Sequence, residues 1–284
     1  IEGLEAGERA RPLFLALPEA DVKQRGYLDQ HQVGWLPELT WRHDGGRTTV
    51  GLEARLHRSR RWGRIQAASP VIPDSLVGPG PDRKLYAFRG EKVIASTFGQ
   101  HLWRPGDRWA VQGELKLTYR RYRHYEERFF GRRFAVPYLF AQPRLGVRLF
   151  PERPWSAYLS VAYAQREPQL DHLYDADAAG AGAAPRFARR PDGSYDYDAP
   201  LVEPESLLDV ELGTSLRRSR FRAKANLYWM EFWNELVPSG GVDQFGNPRV
   251  GNADRSRHVG LELQASGRIL PGWDVSANAS FSRS

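Results

Sequence analysis

The chain has 284 residues, of which 41% are hydrophobic, with a mean hydropathy of −0.58 and a formal net charge of +7. No run of 18 or more apolar residues occurs, which excludes a transmembrane helix, and the absence of cysteine excludes disulfides and thiolate metal sites. A membrane β-barrel stays compatible with this average hydropathy, because only alternate residues of its strands face lipid.

Period-two alternation of apolar and polar residues recurs along the chain and predicts about ten β-strands. In a clear example, Trp109 and Leu115 lie on one face and Lys116 lies on the other. Several strands reach the ~9–11 residues that cross a bilayer at a tilt, and we find no amphipathic helix of useful length. Pro37 and Pro143 fall within two strand patterns, where we expect a strand end or a bulge. The predicted strands cover approximately residues 30–42, 50–57, 92–103, 109–119, 139–149, 155–165, 208–217, 221–229, 259–265 and 273–281.

The predicted connectors alternate between short and long. The tight connectors are rich in Gly, Pro, Asp or Arg and lie near residues 44–46, 104–107, 151–154, 218–220 and 267–272. The alternate connectors are mostly long and cover roughly residues 63–84, 126–134, 167–204 and 237–250. Outer-membrane barrels have short periplasmic turns and longer extracellular loops, so this asymmetry assigns the two ends of each strand.

Several large aromatic residues lie within a few residues of the tight connectors. Tyr and Trp settle at lipid–water interfaces, so these residues are expected to form a girdle at the periplasmic rim. The alternative is that they are core aromatics of a soluble β-sheet.

With a girdle at the rim, the apolar face of each strand should point to lipid and the charged face to a lumen. This arrangement predicts an all-β fold, an antiparallel transmembrane β-barrel. The aromatic residues are Trp41, Trp103, Trp109, Phe150, Trp155, Phe221 and Trp273.

Two arginine clusters end strands that run towards the predicted extracellular rim. Arginine pairs bidentately with phosphate, and the outer leaflet of an outer membrane is rich in phosphorylated lipopolysaccharide. We predict that the outward members contact lipid and lipopolysaccharide phosphates; solvated rim charge is the equal alternative. Nucleic acid is not an expected partner, because these arginines do not follow one helix or groove. The clusters are Arg58, Arg60, Arg61 and Arg64, and Arg120, Arg121 and Arg123.

The longest predicted loop, at about residues 167–204, is the best candidate for contact with a small-molecule ligand, since functional residues concentrate on loops held by rigid scaffolds. Its acidic residues at alternate positions could also bind Ca²⁺, although a flexible acidic loop is the favoured interpretation. No other cofactor or metal is expected. The candidate ligand-contact residues are Asp171, His172, Tyr174, Asp175, Tyr195 and Tyr197.

The common catalytic motifs are absent from the sequence. It contains no G-x-S-x-G, no P-loop, no G-x-G-x-x-G that opens a helix and no H-E-x-x-H, and its seven histidines are scattered. The sequence therefore predicts no enzyme and no catalytic residue.

Three segments resemble the barrel of TonB-dependent outer-membrane receptors. Residues Tyr138–Tyr174 (YLFAQPRLGVRLFPERPWSAYLSVAYAQREPQLDHLY) are similar to its "PR.G", turn and "P.l.elY" elements. Leu201–Gly213 (LVEPESLLDVELG) and Gly251–Leu263 (GNADRSRHVGLEL) resemble the following two elements, in the same order. The resemblance covers about residues 138–284, and the earlier hairpins continue the strand pattern.

The resemblance implies an outer-membrane receptor of a Gram-negative bacterium that imports a scarce nutrient, such as a ferric siderophore, cobalamin or an oligosaccharide. Uptake would be coupled to the TonB complex through a plug domain. The start, Ile1–Leu4, lacks a methionine or signal-peptide pattern, and neither a plug nor a TonB box is visible. We therefore expect residues 1–284 to be an incomplete barrel of this type, an open curved sheet without plug and terminal strands. The alternatives are a passive porin-like or adhesive barrel, and a soluble β-rich binding protein.

Overall fold

The computed structural model describes residues 21–74, 83–128, 130–242, 246 and 248–284. The chain forms thirteen strands among these residues, together with one helical turn, α1, and one 3-10 helix, both within the loop that follows β7. The strands are β1 (Asp21–Trp35), β2 (Glu38–His43), β3 (Gly46–Ser69), β4 (Lys84–Trp103), β5 (Trp109–Tyr125), β6 (Phe134–Leu149), β7 (Trp155–Arg166), β8 (Phe187–Arg189), β9 (Tyr195–Pro200), β10 (Glu205–Arg217), β11 (Phe221–Val242), β12 (Pro248–Leu270) and β13 (Trp273–Arg283). The helix α1 spans Leu170–Leu173 and the 3-10 helix spans Ala176–Ala181.

Eleven strands form one antiparallel sheet in the order β1-β3-β4-β5-β6-β7-β10-β11-β12-β13, with β2 also paired to β3. Every neighbour in this order is the next main strand along the chain, so the sheet is a simple up-and-down meander. The remaining two strands, β8 and β9, form a separate hairpin inside the loop between β7 and β10. The prediction of an open, curved antiparallel sheet of about ten strands is confirmed.

The two faces of the sheet differ as the alternation predicts. On the face that we call outer, large apolar side chains stay exposed, and Leu139 reaches 78% exposure. Leu115 and Leu117 of β5 are further examples on this face, whereas their neighbours Lys116 and Thr118 point to the inner face, where Thr118 is buried. Exposed apolar area of this extent marks a surface that another apolar phase covers. The sequence pattern predicts that this phase is the hydrocarbon layer of a bilayer.

Both prolines within strand patterns coincide with breaks in backbone pairing. Pro37 lies between β1 and β2, which pair with successive parts of β3. Pro143 stays within β6, but the β6–β7 ladder begins only at Arg144. Beyond it, the amide of Gln142 donates to the carbonyl of Gln165 over 2.9 Å. Because proline has no N–H to donate, side-chain hydrogen bonds continue the contact where the backbone ladder stops.

The tight connectors are where the pattern predicts them, and the turn-flanking aromatics all lie at that end of the sheet. Trp41, Trp103, Trp109, Trp155 and Trp273 are between 44% and 64% exposed on the outer face, as membrane-interface aromatics require. The described residues include no helix long and apolar enough to span a membrane.

The predicted long loop 237–250 is shorter than expected. The β11–β12 ladder extends into it, to a pair between Val242 and Pro248, with an irregularity after Pro238. An antiparallel hairpin can lengthen freely beyond the bilayer, because water satisfies its edges there. In the predicted loop 63–84, strand structure continues to Ser69, and residues 75–82 lie outside the described residues.

Candidate functional site

The loop between β7 and β10 folds back onto the inner face of the sheet and carries most of the buried core. Leu173, Tyr174, Phe187 and Val202 of this loop are each at most 2% exposed. They pack against inner-face aromatics at the extracellular ends of β4, β5 and β6. The sequence favours a flexible loop here, but burial of this much apolar surface makes it a packed element instead. The inner-face aromatics of the core are Tyr86, Phe88, Tyr122, Phe134, Tyr138 and Phe140.

A buried carboxylate, Glu167, fixes the start of this loop. Its oxygens accept from Lys92 Nζ at 2.9 Å, from Arg120 Nη1 and from the Tyr122 hydroxyl at 3.4 Å. Burial by itself raises the pKa of the Glu167 carboxyl, but these donors stabilise the anion and the net pKa is lowered. The loop therefore leaves the sheet from a satisfied ionic network, in which two strands supply the cations.

His124 of β5 lies at the centre of the aromatic contacts and is fully buried. Its ring lies 5.0 Å from the ring of Phe88, 5.2 Å from Phe134 and 5.3 Å from Tyr174, measured between centroids. Neither ring nitrogen makes a hydrogen bond among the described residues. Burial, followed by the charge of Arg132, lowers the pKa of His124 to about 4. The imidazole is therefore neutral at physiological pH and serves as an aromatic surface for the loop.

Arg132 is a buried cation enclosed by rings. Its guanidinium carbon lies 4.9 Å from the ring centre of Phe130, 5.3 Å from that of Tyr174 and 5.2 Å from that of Tyr195. Its backbone N–H donates to Glu127 Oε2 at 3.3 Å. Cation–π contacts gain strength when they are desolvated, so this arginine helps to hold the loop to the 126–133 connector.

The β8–β9 hairpin contains the acidic positions that suggested calcium. The carboxylate of Asp192 accepts from the backbone and the hydroxyl of Ser194 at 2.9 and 2.7 Å, and Asp196 pairs with Arg190 at 3.0 Å. Among the described residues, no group of three His, Cys, Asp or Glu side chains could hold a metal ion. These carboxylates thus satisfy a turn and an ion pair, and calcium binding stays a prediction.

The end of the loop is tied to the β11–β12 hairpin. The backbone N–H of Glu203 donates to Asn252 Oδ1 at 2.9 Å, and the Asn252 amide donates to the carbonyls of Glu203 and Asn234 at 3.0 and 2.8 Å. Arg186 also donates to the carbonyl of Val250. The loop therefore bridges β4–β6 on one side and β11–β12 on the other, across the extracellular end of the inner face.

The six predicted ligand-contact residues all lie in this loop, but in different environments. Asp171 is exposed, and Asp175 caps the 3-10 helix by accepting from Ala178 N at 3.3 Å. Tyr174 and Tyr195 are 2% and 9% exposed and face the core. The two remaining members, His172 and Tyr197, are half-buried. The structure thus groups the tyrosines in one cluster, while contact with a ligand stays a prediction for all six.

The seven predicted lipopolysaccharide-contact arginines divide between the two faces of the sheet, and the prediction applies only to the outward members. Arg61 and Arg120 point inward, because they have the opposite parity in β3 and β5 from the apolar residues. Arg61 approaches Asp177 of the loop at 3.7 Å, and Arg120 pairs with Glu167. These two side chains hold the loop and do not face lipid. The other five, which we name the first arginine cluster, lie on the outer face: Arg58, Arg60, Arg64, Arg121 and Arg123.

Aromatic rings accompany the first arginine cluster at the edge of the apolar band. Tyr27 stacks on Trp62 with ring centres 5.2 Å apart, while Arg64 lies 5.4 Å from the Tyr27 ring and Arg60 lies 5.2 Å from the Trp62 ring. Along β5, the ten residue steps from 109 to 119 span about 33 Å, or roughly 25 Å of height at a 40° tilt. Arg121 follows directly, so the cluster lies at the level of the lipid head groups.

Sequence reasoning missed Lys92, His124, Arg132 and Glu167. Lys92 and His124 could have been recognised from the alternation of their strands, because both lie on the same face as the charged lumen residues. Arg132 and Glu167 lie in connectors, where no periodicity applies. Their roles depend on a loop contact that local sequence does not encode.

A family model, the TonB dependent receptor-like β-barrel, matches residues 9–284. The chain belongs to this family. TonB-dependent receptors are outer-membrane transporters rather than enzymes. The search among curated proteins found no match.

Solved structures of several receptors share the fold. The copper transporter OprC aligns with a TM-score of 0.67 at 17% identity, over 92% of this chain and 38% of that chain. The unliganded ferric citrate transporter FecA aligns with a TM-score of 0.62 at 16% identity, over 91% of this chain and 36% of that chain. The ferric yersiniabactin uptake receptor FyuA from Yersinia pestis aligns with a TM-score of 0.56 at 15% identity, over 91% of this chain and 36% of that chain. The chain thus spans less than two fifths of the length of these structures.

Proposed function

We propose that this barrel chain serves an outer-membrane receptor of a Gram-negative bacterium that imports a scarce nutrient by TonB-coupled transport. The family match over residues 9–284 carries the proposal. Among the ligands implied by the sequence, a ferric siderophore is favoured, because the names of similar structures include receptors for ferric yersiniabactin and ferric citrate. Cobalamin and oligosaccharides are the other ligand classes to test. The TonB complex would act through a plug domain.

The inner face supports this proposal by its chemistry. Polar and charged side chains such as Tyr158, Lys224, Asn226 and Glu262 line a hollow near the periplasmic half of β10–β13. A lumen of this kind can orient a plug by hydrogen bonds and ion pairs. The loop of residues 167–204 covers the other end, where an entering ligand would meet it.

We propose further that this loop contacts the ligand through the six residues predicted from the sequence. Asp171 is accessible as the loop is docked, whereas Tyr174, Tyr195 and the buried hydroxyl of Tyr197 would contact a ligand only after the loop moves. Lipopolysaccharide contact is proposed for the five outward members of the first arginine cluster, which have the exposure and the position that phosphate binding needs.

Uptake by the whole receptor in cells that lack their own receptors tests the main proposal. Radioactive iron supplied as a ferric siderophore should accumulate only in cells with a working TonB complex and a proton gradient, and labelled cobalamin and an oligosaccharide are assayed in parallel. An Asp171→Ala/Tyr197→Ala variant should weaken uptake, while Tyr119→Ala, on the outer face of β5, serves as the matched control. Uptake that persists without TonB would overturn energy coupling and favour the passive barrel.

A further inference from the structure

A second group of arginines lies on the outer face, on strands remote from the first arginine cluster. Arg255 and Arg257 of β12 have the same parity as the apolar residues Val259 and Leu261, and Arg283 of β13 pairs with Val259. We name Arg255, Arg257 and Arg283 the second arginine cluster. Strands β6, β7, β10 and β11 separate the two clusters in the sheet, and their outer faces carry no arginine at this height.

The register places this cluster at the level of the first one. Phe221, which marks the periplasmic end of β11, pairs with Gly267, and Arg257 lies ten residues further along β12 (267 to 257). Arg283 likewise follows Trp273 by ten residues on β13. At about 2.5 Å of height per tilted residue, both lie roughly 25 Å from the periplasmic girdle. This is the height of the head groups in the opposite leaflet.

The arginine side chains of this cluster are held in fixed positions, as in an anion-binding site. Glu231 lies between the two arginines, accepting from Arg255 Nε and, at 2.7 Å, from Arg257 Nε. Its side chain is only 1% exposed, because the guanidinium groups cover it. The Arg257 guanidinium also lies 5.5 Å from the ring centre of Trp229. One carboxylate and one ring thus fix two long side chains, which lowers the entropy that a ligand must remove.

The cluster keeps donors and net charge for a ligand. Arg255 and Arg257 are 61% and 55% exposed, and Glu231 engages Arg255 through Nε alone. The terminal nitrogens of Arg255 make no hydrogen bond within the described residues. With Arg283 on the neighbouring strand, the cluster has three guanidinium groups and one carboxylate, so its net charge is +2. Planar, charged forks at this depth match phosphate oxygens in geometry and sign.

We infer that the second arginine cluster binds the phosphate group of a lipid in the outer leaflet, independently of the first cluster. Trp229 and the exposed Phe281 provide the adjacent apolar surface for its acyl chains. The inference uses the membrane-spanning fold and not the identity of the transported nutrient, so failure of the transport proposal would leave it standing.

Native mass spectrometry of the whole receptor in detergent, titrated with diphosphoryl lipid A, tests this inference. Each basic residue near an anionic lipid surface contributes about fivefold in affinity, so an Arg255→Gln/Arg257→Gln variant should bind this site about thirtyfold more weakly. The matched control is Arg218→Gln/Arg220→Gln, which removes two charges at the periplasmic turn and should bind as the wild type does. An Arg58→Gln/Arg60→Gln variant should lose a different bound lipid.

Three outcomes would contradict the inference. Equal weakening by the periplasmic control would show a net-charge effect. Unchanged binding of dephosphorylated lipid A would show that acyl chains alone are recognised. Equal competition by inorganic phosphate at millimolar concentration would assign the site to free anions and not to lipid. Retention of one fewer lipid in the Arg255→Gln/Arg257→Gln variant, restored by Arg255→Lys/Arg257→Lys only in part, would support bidentate phosphate binding.

Discussion

His124 has the most constrained environment of any histidine that the structure describes. Three aromatic rings surround it, and both ring nitrogens lack hydrogen-bond partners among the described residues. A neutral imidazole tolerates this site, whereas an imidazolium would be buried without a counter-ion and near Arg132. Docking of the 167–204 loop therefore depends on the neutral form.

The predicted pH dependence follows from the pKa of about 4 in the docked state against 6.5 for a free histidine. Above pH 6.5 both states are neutral, and docking has its full stability. As pH falls from 6.5 to 4, only the undocked state takes up a proton, so docking loses about 3 kcal/mol in total and then becomes constant. Hydrogen exchange of the loop amides over this pH range measures the effect. His124→Phe should remove the dependence, and an unchanged slope in that variant would assign it to another group.

Whether an arginine lies at an odd or an even position of its strand decides whether it faces lipid, and the sequence already contains that information. Arg120 and Arg121 are neighbours, but β5 sends one to Glu167 and the other to the outer face. Alternation from Leu115 onwards could have separated them. In contrast, the inward aromatic contacts of His124 with Tyr174 join residues 50 positions apart, and local pattern cannot predict such a pair.

At the scale of elements, close contact between glycines and cross-strand aromatic rings fixes how the inner face packs. Gly213 of β10 pairs with Tyr158 of β7, whose ring lies flat over the glycine and whose hydroxyl donates to Asn226 Oδ1 at 2.9 Å. A Cβ at Gly213 would overlap the Tyr158 ring. The ring thus bridges β7, β10 and β11 and replaces the side chain that the glycine lacks.

Gly213→Val should therefore displace Tyr158 and break its bond to Asn226. Overpacking of this kind costs about 1–3 kcal/mol. Denaturant titration of the refolded protein in detergent would measure the change, with Gly113→Val as the control, since a Cβ there meets no heavy atom within 4 Å. Restoration of stability in Gly213→Val/Tyr158→Ala would confirm the steric cause, while equal losses at both glycines would contradict it.

Element ends show where sequence prediction stopped. Strand interiors followed the alternation, and the turns followed Gly, Pro and Asp. Residues 237–250 at the tip of the β11–β12 hairpin were predicted as a loop. Ser239, Gly240 and Gly241 have low strand propensity, yet pairing with the opposite strand outweighs it. The loop of residues 167–204 was predicted correctly in extent but not in packing, which depends on surfaces of β4–β6.

At the scale of the whole molecule, the distribution of polarity is the reverse of that in a soluble sheet protein. Apolar side chains cover the exposed outer face, while ionic networks such as Glu53 with Lys116 and Arg55 lie on the inner face. The fold class could be predicted because this reversal follows from alternation, connector length and aromatic position together. The transported ligand could not, since the chain spans less than two fifths of the length of the similar structures.

Neighbouring residues on β7 provide a direct test of which face meets lipid. Leu159 is exposed on the outer face, four residues from Trp155 at the periplasmic girdle, and Ser160 points to the inner face. Arginine near the bilayer midplane costs about 2–4 kcal/mol in a membrane barrel, whereas the lumen tolerates charge. Leu159→Arg should therefore lower the folded fraction of the whole receptor in lipid vesicles, while Ser160→Arg should leave it almost unchanged. The mobility of unheated samples on gels reports folding, and greater damage from Ser160→Arg would reverse the assignment of the two faces.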